Sequence, residues 1–357
     1  LTKGETNNTT APQASTKDGG PASAGAKASA ETSGKTDGKT GAKTGSKKGG
    51  KPAPVRGGTA DYLSDKALRG TIRLALTLPP ALRGRMMGTL VRRLVAPLAG
   101  YRARAMANLE HVWPDMPEAE KRRIADQVAD NAGRTMIENY DVAGLLERMK
   151  DTPVTGEGVA AIEAARAEGR PILFVTGHYG NFEAPRAALV ARGWRIGGLY
   201  RPMANPFFNE HYAANMHALS DPVFEQGRRG TMGLLKHIRG GGMGVLLFDV
   251  YDSAGTSIDF LGQPAPTLTS AAEIAVKTGA LFVPFFGIRK PDGVNFEAVF
   301  EAPIAHGEPV EMMREVTRRL EARIEADPGQ WFWIHRRWKP KRQRKRAEKR
   351  ARQHDQS

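Results

Sequence analysis

The chain has 357 residues, enough for one large domain or two ordinary ones, and 40% of them are hydrophobic, enough to build a core. The absence of cysteine excludes disulfides, thiolate metal sites and a cysteine nucleophile. The formal charge of +15 belongs to the ends: residues 1–60 hold ten Lys/Arg against four Asp/Glu, residues 336–357 hold eleven against two, and the body between them balances to zero.

Residues 1–60 are low in complexity. Stretches such as "GKTDGKTGAKTGSKKGG" cannot bury enough apolar surface to offset the entropy of ordering, so a disordered basic tail is expected. Such a tail either attaches to anionic surfaces or simply stays solvated. From Tyr62 the texture changes to Leu, Ile, Met and Val at helical spacing, split by Pro79-Pro80 into two helices within 66–98. Arginines 69, 73, 83, 85, 92 and 93 alternate with the apolar face. That pattern suits helices lying in a membrane interface, and equally an amphipathic hairpin covering a core. A further helix breaks near Trp113-Pro114, and another starts at Asp115 and Pro117.

From about residue 160 helical and strand-like segments alternate. Helix 159–168 ends near Gly169 and strand 172–176, "ILFVT", follows; helix 183–192 leads to strand 195–200. Helices 206–219 and 230–239 precede strand 244–249, and a long Gly/Pro-rich loop leads to helix 269–278. Strands 280–286 and 294–301 and helix 309–326 complete the series. The expected fold is α/β: a mixed, largely parallel sheet flanked by helices, with an N-terminal amphipathic helical region and disordered basic tails. The corresponding divisions are a tail at 1–60, a catalytic domain at 61–340 (helical to 150, α/β from 151) and a basic tail at 341–357. A membrane-spanning helix needs about twenty mostly apolar residues. The longest uncharged run is the thirteen residues 260–272, which contain Pro264 and Pro266, so no conventional span is expected, and no apolar signal-type run opens the chain.

The chemistry concentrates in "VTGHYGNFE", residues 175–183. In open α/β sheets reactive groups gather where strands end and helices begin. His178 lies just past strand 172–176, and Glu183 opens the next helix. Across such a turn the carboxylate of Glu183 can fold back, accept an imidazole N–H and leave the other ring nitrogen as a general base. The same spacing also describes a histidine at a helix end beside a solvated glutamate. No serine, cysteine or second acid accompanies the pair, so direct activation of a substrate hydroxyl fits better than an enzyme-bound acyl intermediate.

"GHYGNFE" resembles the histidine-four-residues-acid motif of glycerolipid acyltransferases, and more closely the version in the bacterial lipid A biosynthesis acyltransferase family. Four further stretches resemble that family in order: "YRARAMANLEHVWPDMPEAEKRRIADQ", the "YRPMANP" loop, "FLGQPAPTLTSAAEIAVKTGALFVPFFGIR" and "PGQWFWIHRRWK". The family usually has Asp-Gln where this chain has Asp249-Val250. The resemblance implies transfer of a fatty acyl chain, lauroyl or similar, from acyl carrier protein to a hydroxyl of a Kdo-bearing lipid A precursor. His178 and Glu183 would form the dyad. Arg201, Arg228 and Asp249 are candidates for oxyanion stabilisation or substrate binding, the arginines also for gripping lipid phosphate and Asp249 also as a loop residue capping a turn.

No metal constellation is expected and no bound cofactor. The eight histidines are scattered, and the donor's thioester arrives on the carrier protein. The expected partners are acyl carrier protein, the lipid A precursor and an anionic membrane surface, at the cytoplasmic face of the inner membrane. Attachment is expected through helices 66–98 and the C-terminal basic segment. "WFWIHRRWK" reads as an aromatic and basic interface belt, and "PKRQRKRAEKRAR" as a lipid-binding or carrier-steering tail. Three rivals remain: a same-family enzyme acting on another membrane lipid alcohol, a nucleic-acid-binding protein with basic tails, and a membrane scaffold without activity. No nucleic acid is expected, because the body is neutral and lacks stacking aromatics interleaved with base-reading residues.

Overall fold

Caps and prolines set most helix boundaries in the computed structural model, which describes residues 57–339. Helix α1 (Thr59–Leu76) begins where Asp61 accepts the Gly58 N–H at 2.9 Å, two residues inside the stretch expected to be a tail. Residues 1–56 and 340–357, including the lysine repeat and the last basic segment, lie outside the described residues. Pro79-Pro80 separates α1 from α2 (Pro80–Leu90), as expected, because proline fits the first helical turn but not the interior. A π turn (Val91–Val95) and the short α3 (Ala96–Leu98) continue that stretch, and α4 (Tyr101–Val112) and α5 (Glu118–Tyr140) follow. Asp141 accepts from the Gly144 N–H at the start of α6 (Val142–Lys150).

The α/β part opens with β1 (Val154–Thr155), α7 (Val159–Ala167), β2 (Ile172–Thr176), α8 (Ala184–Val190) and β3 (Ile196–Tyr200). It continues with α9 (Pro206–Leu219), whose Asn205 side chain caps the N–H groups of Phe207 and Phe208. Next come β4 (Val223–Glu225), α10 (Arg228–Arg239), β5 (Met243–Leu247), β6 (Thr256–Phe260), β7 (Gln263–Thr267) and α11 (Ser270–Thr278). Strands β8 (Leu281–Arg289) and β9 (Phe296–Phe300), helix α12 (Pro309–Ala326) and a 3-10 turn (Pro328–Gln330) complete it.

The main sheet has seven strands in the order β1-β9-β8-β2-β5-β3-β4, and every neighbouring pair is parallel except β8–β9. The mixed, largely parallel sheet is therefore as expected. Three details differ. Residues 256–267, expected as loop, form an antiparallel hairpin, β6–β7. Its prolines at 264 and 266 hid it, since proline reads as a strand breaker, but a two-stranded sheet has open edges where proline is tolerated. The two-residue β1 and the three-residue β4 at the sheet's outer edges are too short to show a sequence period.

Strand β2 is the centre, with all five residues buried. Its continuous apolar run reflects helices on both faces. Leu173 and Val175 join a cluster with α4, α5, α11 and α12, while Ile172 and Phe174 join one with α6, α7 and α8. The tryptophans of "WFWIHRRW" correct a second expectation. Trp331, Trp333 and Trp338 are 0%, 0% and 4% exposed and Arg337 is fully buried, so this segment is core and not an interfacial belt. Burying one such ring removes roughly 150–250 Å² from water, worth about 4–6 kcal/mol before ordering costs.

Candidate active site

Register explains how the site assembles. Strands β2 and β5 are parallel neighbours with Thr176 opposite Leu247. His178 and Asp249 each stand two residues beyond those partners, so the two side chains meet at the carboxyl edge of the sheet. His178 Nδ1 lies 2.7 Å from Asp249 Oδ1, and the His178 backbone N–H donates to Asp249 Oδ2 at 2.7 Å. Trp331 Nε1–H donates to the same Oδ2 at 2.8 Å. Asp249 is fully buried. Burial alone would raise its carboxyl pKa, but the charge and hydrogen bonds of His178, with His335 nearby, outweigh that and hold it far below the usual carboxylate range. A permanently ionised carboxylate at Nδ1 fixes the tautomer with its proton there and leaves Nε2 as the basic nitrogen.

The expected fold-back of Glu183 onto the imidazole is not what forms. Glu183 stands at the N-cap of α8, takes its backbone position from an Asn181 side-chain bond at 3.1 Å, and pairs with Arg186 at 3.2 Å. Its carboxylate is spent on a buried guanidinium. The ring of His178 therefore draws its acid from the next strand, 71 residues away in sequence. Arg201, immediately after β3, and Arg228, the first residue of α10, emerge at the same carboxyl edge but are exposed, and neither lines the cavity at His178.

The turn carrying His178 is clamped from two sides. The segment after α12 runs alongside it: Gly180 N–H donates to the Gln330 carbonyl at 2.9 Å and Phe332 N–H to the His178 carbonyl at 3.0 Å. On the other side Asn181 N–H donates to the Gly287 carbonyl of β8 at 3.0 Å. Gly180 has φ +55°, and a Cβ there would lie 2.0 Å from the Gly287 carbonyl oxygen, so this position requires glycine. Beneath the turn, Asn181 Nδ2 donates to Glu138 at 3.1 Å, and Arg289 grips the same carboxylate through its two terminal guanidinium nitrogens. Glu138, Arg289, Trp331 and His335 were not singled out as site residues from sequence. Family-like stretches did include three of them: "FLGQPAPTLTSAAEIAVKTGALFVPFFGIR" ends at Arg289, and "PGQWFWIHRRWK" holds Trp331 and His335.

A cavity of about 300 Å³ opens at the imidazole. Val128, Ala132 and Met136 of α5, with Phe182, Trp331 and Phe332, make its lining mostly apolar. The His178 ring meets Phe182 edge-on at 5.0 Å and His335 at 4.4 Å between centroids. Burial chiefly, then the neighbouring His178, lowers the His335 pKa to about 3, so His335 stays neutral beside the dyad. An imidazole backed by a carboxylate at the mouth of an apolar slot has the geometry to take a proton from a hydroxyl held next to a hydrocarbon chain.

The sequence profile of bacterial lipid A biosynthesis acyltransferases matches residues 62–340, most of the chain. The chain belongs to that family. It is 24% identical over 267 residues to a lipid A biosynthesis acyltransferase of Haemophilus influenzae, covering 72% of this chain and 81% of the relative. Against Escherichia coli proteins it is 22% identical to a lipid A biosynthesis myristoyltransferase (73% and 82% covered) and 25% to a lipid A biosynthesis lauroyltransferase (65% and 77% covered). Membership assigns this acyltransferase to lipid A biosynthesis. Among its described residues no helix is long and apolar enough to cross a membrane, and no group of three or more His, Asp or Glu side chains converges as a metal site.

Proposed function

We propose that this enzyme moves a fatty acyl chain from the thioester of acyl carrier protein to a hydroxyl of a Kdo-bearing lipid A precursor, with His178 as general base. The observation that carries the reading is the Asp249–His178 pair at the rim of an apolar cavity. Nε2 removes the hydroxyl proton as the oxygen attacks the thioester carbonyl. Asp249 stabilises the imidazolium that results. When the tetrahedral intermediate collapses, the C–S bond breaks and the imidazolium returns the proton to the departing sulfur. A positioned base of this kind contributes about 10²–10⁴-fold. Glu183 is a positioning residue in this scheme, holding α8 and the turn through Arg186. Arg201 and Arg228 would meet charged groups of the bound substrates, or the developing oxyanion, from the sheet edge.

Attachment to the cytoplasmic face of the inner membrane is part of the proposal. Leu63, Leu74, Leu82, Leu94 and Leu98 of the α1–α3 stretch are 61%, 67%, 52%, 53% and 81% exposed, large apolar groups in a sequence rich in arginine. Purified protein should transfer a radiolabelled acyl group from acyl carrier protein to the lipid precursor, and His178→Ala should abolish that transfer while preserving the thermal transition. Undiminished transfer by His178→Ala would refute the mechanism. Mass spectrometry of lipid A from cells with and without the gene then reads the chain added and its position.

A further inference from the structure

A second recess, of about 860 Å³, lies beside the apolar cavity. Its walls come from α2, the π turn, α5, the β8–β9 connection and the 3-10 turn. Asn131 and Gln330 line both spaces, so the two are neighbours. Six cations face the recess, Arg85, Arg92, Arg123, Arg134, Arg289 and Lys290, against three carboxylates. Several are already neutralised: Arg123 by Glu120, Arg134 by Asp130 and Arg289 by Glu138. The carboxylate of Asp126 is engaged by Arg102 from outside the lining. Arg85 and Arg92 have no carboxylate partner among the described residues, and Arg92 Nε is buried without any hydrogen-bond acceptor.

Uncompensated guanidiniums gathered in a concavity repel one another and are relieved by a bound anion. Their planar forks match the oxygens of phosphate. Arg92 stands on the π turn, an irregularity that recurs at functional sites in helices, and lines the recess. The same helical stretch carries the exposed Leu82, Leu94 and Leu98, so charge and grease are offered together. A free inorganic anion would use only the first.

We propose that this recess binds the phosphate monoester of a lipid headgroup and so holds the acceptor with its reactive chain toward His178. The acceptor role rests on the acyl-transfer reading above; the phosphate site stands on the recess itself. The test titrates the full-length protein, by calorimetry, with dodecylmaltoside micelles doped with dioleoylphosphatidic acid or, at matched zeta potential, dioleoylphosphatidylglycerol. Phosphatidic acid micelles should bind about tenfold more tightly, the scale of one charge-assisted hydrogen-bond pair. Arg85→Gln/Arg92→Gln should erase that preference, and Arg85→Lys/Arg92→Lys, which keeps the charge but loses the fork, should keep part of it, both with unchanged thermal transitions.

Equal binding of the two lipids by the unmodified protein, or a preference that survives in the glutamine variant, overturns the proposal. Full displacement of phosphatidic acid micelles by low-millimolar inorganic phosphate would assign the site to the free anion and overturn the lipid assignment. His178→Ala separates the two readings. Loss of transfer with the lipid preference retained supports both; transfer retained with the preference intact sinks only the catalytic reading; transfer lost with no preference sinks only the recess.

Discussion

Asp249→Asn probes the dyad with least change in shape. Asp249 Oδ2 accepts two N–H groups, from the His178 backbone and Trp331, and Oδ1 faces His178 Nδ1. An asparagine that keeps its single oxygen toward the two N–H donors must present its NH₂ to Nδ1. The ring then carries its proton on Nε2, and the nitrogen facing the cavity is no longer basic. A kcat loss of about 10²–10⁴-fold is expected with KM little changed, about 3–5 kcal/mol of transition-state stabilisation. Folding should suffer less, by about 1–2 kcal/mol, because the bonds lose charge assistance but most keep their partners. Glu183→Gln is the paired control. It leaves a buried guanidinium with a weaker partner, so about 1–3 kcal/mol of stability is lost while kcat stays near that of the unmodified enzyme. The assay is single-turnover acyl transfer from labelled acyl carrier protein, with thermal melts on the same samples. If Glu183→Gln takes the kcat loss and Asp249→Asn is spared, Glu183 and not Asp249 is the working acid.

Other outcomes follow from neighbouring residues. His335 has a folded pKa of about 3 against an ordinary 6.5, so between these values the unfolded chain holds a proton that the folded chain lacks. Stability should therefore fall as pH drops from neutral toward 4, measured as the urea midpoint, and His335→Gln should flatten the decline; an equal slope in both proteins would refute this. Ala132→Leu should shorten the acyl chain preferred, since each methylene excluded from the cavity costs about 0.8 kcal/mol, near fourfold in kcat/KM. A product profile that does not shift would place the chain elsewhere. Gly287→Ala sets a Cβ 2.0 Å from the Asn181 carbonyl oxygen, against backbone that cannot swing away. It should lower Tm and kcat together, and an unaltered enzyme would show that the turn is not clamped there.

Much of this molecule is written in local pattern. "ILFVT" between a glycine-ended helix and "GHYGNFE" marks a buried parallel strand and the turn after it, and prolines at 80, 206 and 309 open helices where they stand. These signals are local because caps, proline and apolar period act within a few residues. His178, too, was identifiable, since a histidine between glycines at a strand end can be recognised without the fold. Its partner was not. Glu183 is close in sequence and Asp249 distant, yet which of them reaches the ring depends on β5 lying next to β2 in a fixed register, and on Arg186 occupying Glu183. The tryptophans near the C-terminus show the same limit: their composition suits a membrane interface equally well, and only packing against β2, α5 and the β6–β7 hairpin makes them core. Sequence determines which groups are available and which way the chain turns locally; strand order and side-chain packing decide which of those groups touch.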